Sequence, residues 1–207
     1  MKNLLKLFFL IFILVITIFS INLIRNYFIL NKIHKLNFET YKNLNNFYYT
    51  DTLTYSYSTG NFQNAKTEIY YKDEIILLKT YDSDKLTQTI WKNTNTNELI
   101  KLHENGTNSN ENLDISLENY INNIFPLLNK NLIFEIIKNN PFMFIKSKND
   151  YYIINDSQNK QELYILSYSG ILDKLYIQNE NTSFEYLINF EENIVTDKDI
   201  EKPIINK

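Results

Sequence analysis

Hydrophobic and polar positions alternate in three different ways along this chain, and each pattern predicts a different element. Leu7 to Ile24 (LFFLIFILVITIFSINLI) is one long apolar run, with Lys2 and Lys6 before it and Arg25 after it. At about 1.5 Å per residue, a helix over that run covers about 27 Å, close to the hydrocarbon thickness of a bilayer. Beyond it, Ile29, Ile33, Leu36, Leu44 and Phe47 recur at helical spacing, with no Pro or Gly between Asn26 and Asn46. The spacing predicts that the helix continues outward, now amphipathic, to about residue 46.

From Tyr48 the period drops to two. Leu53-Thr-Tyr55-Ser-Tyr57 alternates large and small polar residues, and strand-like runs follow at Lys66–Tyr71, Glu74–Tyr81, Leu86–Lys92 and Glu98–Leu102. The gaps between them are too short for parallel crossovers, so antiparallel hairpins are expected. The polar loop Glu104–Asn112 leads into helical spacing over Leu113–Phe125. Pro126 then starts a second helical segment that ends before Asn139-Asn140-Pro141. The two-residue period returns at Phe142–Lys146, Tyr151–Asn155, Glu162–Tyr168, Ile171–Gln178 and Ser183–Phe190, with Ser169-Gly170 the sharpest turn signal.

The fold expected from this order is α+β: an N-terminal transmembrane helix, then a large antiparallel β-sheet interrupted by a helical insertion. Ten strands would curl strongly toward a partial barrel or split. The expected organisation is an anchor over residues 1–25, a helical extension packing on the sheet over 26–46, and a β domain over 47–207 with its insertion at about 113–138.

The leader favours a retained anchor over a removed signal peptide. A cleaved signal has a shorter apolar stretch and a small-x-small cleavage site, whereas Ile18 stands where a cut after Ser20 needs a small residue. Charge does not orient the span, because Lys2 and Lys6 on one side are balanced by Arg25, Lys32 and Lys35 on the other. The short leader before a long polar domain favours the N-terminus inside. A single-pass cell-membrane protein with an extracytoplasmic domain is therefore expected.

Composition narrows the chemistry. A formal charge of −3 leaves no basic field for nucleic acid. The absence of cysteine removes disulfides, thiolate catalysis and Cys-based zinc sites. The chain is rich in Asn, Ile and Lys, a bias that also produces the sequons at Asn105, Asn155 and Asn181 by chance. His34 and His103 carry no motif, and Asp82-Ser-Asp84 and Asp197-x-Asp199 read as turns, since neither has the ligand set of a calcium loop. With Gly only at positions 60, 106 and 170, no phosphate loop or nucleophile elbow can form. No catalytic residue, metal site or cofactor is expected.

Tyr41-x-x-Leu44-x-Asn46-x-Tyr48-Tyr49 closes the leading helix, and Asn189-Phe-x-x-Asn193-Ile-Val-Thr-Asp-x-Asp199-Ile-x-x-Pro203 closes the chain. With the anchor and the meander of hairpins between them, these segments resemble membrane-anchored bacterial proteins related to the lipoprotein-carrier (LolA/LolB-like) superfamily. The resemblance covers roughly Lys35 to Pro203. It implies a curved half-barrel with helices packed on its concave face, enclosing an apolar cavity that in carriers holds acyl chains. It brings no catalytic residue. The chain departs from soluble carriers in its membrane helix.

Aromatic residues make up 15 % of the chain, a content that suits a sheet core or an aromatic-lined cavity. The candidate cavity residues are Tyr55, Tyr57, Tyr71 and Trp91 in the first meander and Leu117 and Ile121 in the helical insertion. The expected function is a non-catalytic, membrane-tethered domain that binds an apolar ligand such as a lipid or lipoprotein acyl chain. The alternative is a structural or interaction module whose partner is another envelope protein.

Overall fold

The computed structural model describes residues 2–57, 60, 62–103, 121–122, 124–141, 143–156, 160–179 and 181–203. Helix α1 (Lys2–Lys42) is a single rod of 41 residues, so about 60 Å long. It stops short of residue 46 because the chain turns there into strand β1 (Asn46–Tyr57). Strands β2 (Phe62–Lys72), β3 (Ile75–Asp82), β4 (Lys85–Asn93) and β5 (Glu98–His103) complete the first meander. Helix α2 (Lys130–Asn139) follows, then β6 (Lys146–Lys148), β7 (Tyr151–Asp156), β8 (Gln161–Leu166), β9 (Leu172–Gln178) and β10 (Thr182–Glu192).

All ten strands form one open, curled antiparallel sheet in the order β5-β4-β3-β2-β1-β10-β9-β8-β7-β6. Two hairpin meanders are thus joined at the centre by the pairing of β1 with β10, from Phe47 opposite Glu192 to Tyr57 opposite Thr182. Tight turns hold the meanders in register. Asp73-Glu74 and Ser83-Asp84 connect their strands with both residues at positive φ, as a two-residue type I′ hairpin requires. Glu74, expected in a strand, is therefore a turn residue.

Cross-strand register sorts the side chains onto two faces. Phe47, Tyr49, Ile69, Tyr71, Ile76, Leu78 and Ile90 share the concave face, which is the core side. The second half of α1 and the segment around α2 cover part of it, burying Leu30, Ile33, Ile124, Phe125, Leu127 and Ile133 against the sheet. Helix α2 begins at Asn129, whose side chain accepts from the Asn131 amide, and ends at Asn140 before Pro141. The helix expected over 113–125 falls largely outside the described residues. Its described end is helical and buried at Ile121 and Ile124.

The convex face is polar at its centre and sealed at one edge. Leu77, Trp91 and Ile100 form a small second cluster there, and Trp91 Nε1 donates to the Ile200 carbonyl at 2.9 Å. Lys72 pairs with Asp197, and Lys202 pairs with Glu98. The two segments that carry the sequence resemblance meet here. The Asn46 side chain donates to the Val195 carbonyl at 2.9 Å and accepts from the Val195 amide at 3.0 Å.

One sequence expectation is corrected. Phe142–Lys146 has strand-like alternation, yet the strand is Lys146–Lys148. The carbonyls of Met143 and Ile145 are turned to α1 instead: Asn22 and Asn26 both donate to the Met143 carbonyl, and Arg25 donates to that of Ile145. Backbone groups turned toward α1 in this way are not aligned with a neighbouring strand.

Candidate functional site

The concave face is filled at one end and hollow at the other. At the filled end, α1 approaches the β8–β9 hairpin so closely that only glycine fits. Gly170 has φ +77°, and a Cβ there would lie 2.7 Å from Asn37 Nδ2 and 3.1 Å from the Ile33 carbonyl oxygen. Asn37 is fully buried and fully employed: its Nδ2 donates to the Gly170 carbonyl at 2.7 Å, and its Oδ1 accepts from the Leu127 amide at 3.1 Å. His34 Nδ1 lies 2.8 Å from the Leu127 carbonyl, so that nitrogen carries the proton and the ring ties α1 to the turn before α2.

A hollow lies on the same face along β9 and the middle of β1 and β10. A cavity of about 200 Å³ opens there, walled by Tyr49, Asp51, Leu172, Leu175, Ile177, Tyr186 and Ile188. Apart from one carboxyl and two phenols the walls are aliphatic. Asp51 faces inward because it shares the register face of Phe47 and Tyr49 and stands opposite Thr67 and Ile188. Burial pushes its carboxyl above the ordinary carboxylate range, opposed by hydrogen bonds from Tyr49 and Thr67. Tyr49 Oη donates to it at 2.8 Å. Tyr186 is raised as well, by burial and then by the charges of Tyr55 and Asp51. The hollow is therefore largely aliphatic, with one carboxyl at its wall whose pKa burial raises.

The volume limits what can enter. Sites for drug-sized ligands run about 300–1,000 Å³, so this space suits one end of a chain or a single ring. A more polar hollow of about 460 Å³ lies beside the β8–β9 hairpin, where Tyr151 Oη donates to Asp173 at 3.0 Å.

The candidate residues read from the sequence separate in three dimensions. Tyr55 lies on the concave face beside the hollow, edge-on to Phe184 at 5.5 Å. Tyr57 is at the exposed end of the same strand. Tyr71 and Ile121 are buried in the core, Tyr71 with its ring 5.2 Å from that of Phe47. Trp91 is on the opposite, convex face, and Leu117 lies outside the described residues. The wall residues Asp51, Leu175, Ile177 and Tyr186 were not singled out. Their signal was register: once Phe47 and Tyr49 point inward, Asp51 must too.

The convex face holds a second perturbed carboxyl, Glu68. Burial raises Glu68, but Lys66, Tyr81 and Tyr70 together outweigh it and hold the group below its ordinary range. Lys66 Nζ is 2.7 Å away, and the Tyr81 hydroxyl donates at 2.9 Å. Tyr81 is pushed up to about 12 by burial and by this carboxylate. The cluster ties β2 to β3. No group of three or more His, Cys, Asp or Glu that could hold a metal ion occurs among the described residues.

One helix among the described residues is long and apolar enough to cross a membrane, with mean hydropathy 2.9 in its most apolar window, none of it buried.

No protein-family model matches the chain, and no curated protein does. Among solved structures it is similar to a LolA superfamily protein from Nitrosomonas europaea, at 10% identity and TM-score 0.33, covering 84% of this chain and 96% of that one. A DUF1329 family protein from Desulfovibrio piger matches at 7% identity and TM-score 0.32, over 87% of this chain and 97% of that one. A candidate outer membrane lipoprotein-sorting protein domain from Vibrio parahaemolyticus matches at 4% identity and TM-score 0.29, over 81% and 95%. At such scores the architecture stands on the chain's own strand order and register.

Proposed function

We propose that the chain is a membrane-tethered, non-catalytic binding domain. Its apolar leader stays in the bilayer, its sheet domain lies on the extracytoplasmic side, and the hollow of its concave face takes the apolar end of a lipid or acylated ligand. One observation carries this reading. The concave face is packed tight at the α1 end and open and aliphatic at the other, where Leu175, Ile177 and Tyr186 remain partly exposed around the cavity. Apolar walls around a small space favour a chain end over a charged group.

The test is competition. A fluorescent fatty acid is titrated into the full chain in detergent, alongside Leu175→Trp, which fills the hollow from β9. Saturable binding that Leu175→Trp abolishes supports the reading. Equal binding by both proteins, or none by either, overturns it.

A further inference from the structure

The exposed rings around the point where α1 enters the domain form a second surface. We propose that the domain is seated directly on the bilayer, with Phe28, Phe134 and Phe144 embedded in the headgroup layer as an aromatic collar. The proposal rests on the tether reading above and adds to it the depth of named residues.

The argument begins with the height of the lock between helix and domain. Ile24 ends the apolar run, and within the adjoining turns Asn22, Arg25 and Asn26 bond to the backbone of Met143 and Ile145 at 2.6–2.8 Å. Phe144 lies between those two residues, so its level is set by the lock, and the Arg25 guanidinium sits 4.4 Å from its ring centroid. If the run fills the hydrocarbon, the Phe144 segment stands where hydrocarbon gives way to headgroups. Phe28 is four residues beyond Ile24, about 6 Å along the axis and within the headgroup layer. Phe134 is joined to the same level through Tyr27, at 6.0 Å between ring centroids.

These three rings are 57–65% exposed, whereas the sheet aromatics whose side chains are described are, apart from Tyr57, buried or half-buried. In water they would form an apolar patch beside the helix; at a bilayer surface they lie in the layer where aromatic side chains collect. The patch continues the exposed stripe of Ile21 and Ile24 without a break. No linker separates span from domain, because α1 runs unbroken from Lys2 to Lys42. The domain therefore cannot float free. Phe38 is equally exposed but about 20 Å beyond Ile24, which puts it in water and outside the collar.

The chain has no cysteine, so single nitroxide labels can be placed cleanly. Phe12→Cys, Phe28→Cys, Phe144→Cys and, on the sheet, Leu187→Cys are labelled in the full chain in phosphatidylcholine vesicles. Collision with oxygen and with a water-soluble nickel chelate is then measured. All four side chains are exposed, so their replacement leaves the core intact. The expected result is a gradient: nickel excluded at Phe12, several-fold less accessible at Phe28 and Phe144 than at Leu187, and free at Leu187. If Phe12 is in lipid while Phe28 and Phe144 match Leu187, the seat is overturned and the tether stands. Nickel reaching Phe12 overturns both. Labels at Phe28 and Phe144 shielded from both reagents would mean that protein covers the collar, which also overturns the seat.

Discussion

The two halves of α1 invert one another. In the first half, Leu4 to Ile18 present exposed apolar side chains, and Thr17 satisfies its hydroxyl inside the helix on the Ile13 carbonyl at 2.8 Å. In the second half, Asn26 and Asn37 are buried and every polar atom of their amides is bonded across to Met143, Ile145, Gly170 or Leu127. Apolar outside and polar inside is the reverse of what water selects. It makes sense if the first half has lipid for a solvent and the second half must be held in one register against a sheet. On the proposed reading one continuous helix serves two environments, and the change falls within a turn or two of Asn22.

The sharpest way to break that contrast is to remove the polar half's lock. Asn37→Leu keeps the volume and leaves the Gly170 carbonyl and the Leu127 amide unpaired in the core; it should cost roughly 3–5 kcal/mol. A thermal melt of the full chain in detergent measures it. Ile13→Lys should leave that melt unchanged and weaken membrane insertion by about 3 kcal/mol, seen as partial release of the chain from vesicles. Gly170→Ala should cost about 2 kcal/mol, since it adds a side chain at positive φ against Asn37 Nδ2.

A smaller effect, of opposite sign, is expected at Asp51. Its folded carboxyl lies above the ordinary range, so the folded state holds the proton more tightly than the unfolded one. Stability is then present at low pH and lost as pH rises through the folded value. Asp51→Asn should melt higher than the parent at neutral pH, with the difference vanishing in acid. Glu68, held low, runs the other way: its contribution is present at neutral pH and lost as pH falls through its folded value. The smallest effect is Thr17→Val, within about 0.5 kcal/mol in the same melt, because that hydroxyl serves only its own helix.

Periodicity made most of the fold legible. The reading Leu86–Lys92 became β4 at Lys85–Asn93, and Ile171–Gln178 became β9 at Leu172–Gln178, because alternation reports burial directly. Phe142–Lys146 failed because its hydrogen bonds go to side chains 120 residues away in sequence, which no local pattern reports. Asn26 and Asn37 sit at core spacing with Leu30 and Ile33, but in a chain this rich in Asn two inward copies do not stand out. The hollow was harder still. Tyr55 flanks it, yet Trp91 faces away, because aromatic content says nothing about which face of a strand a residue takes until the register is known.

The most direct measurement is the intact mass of the mature protein recovered from membranes after an alkaline wash. A helix that lives half in lipid predicts the full 24.8 kDa chain in the pellet. A shorter chain in the supernatant, cut near residue 20, would contradict it.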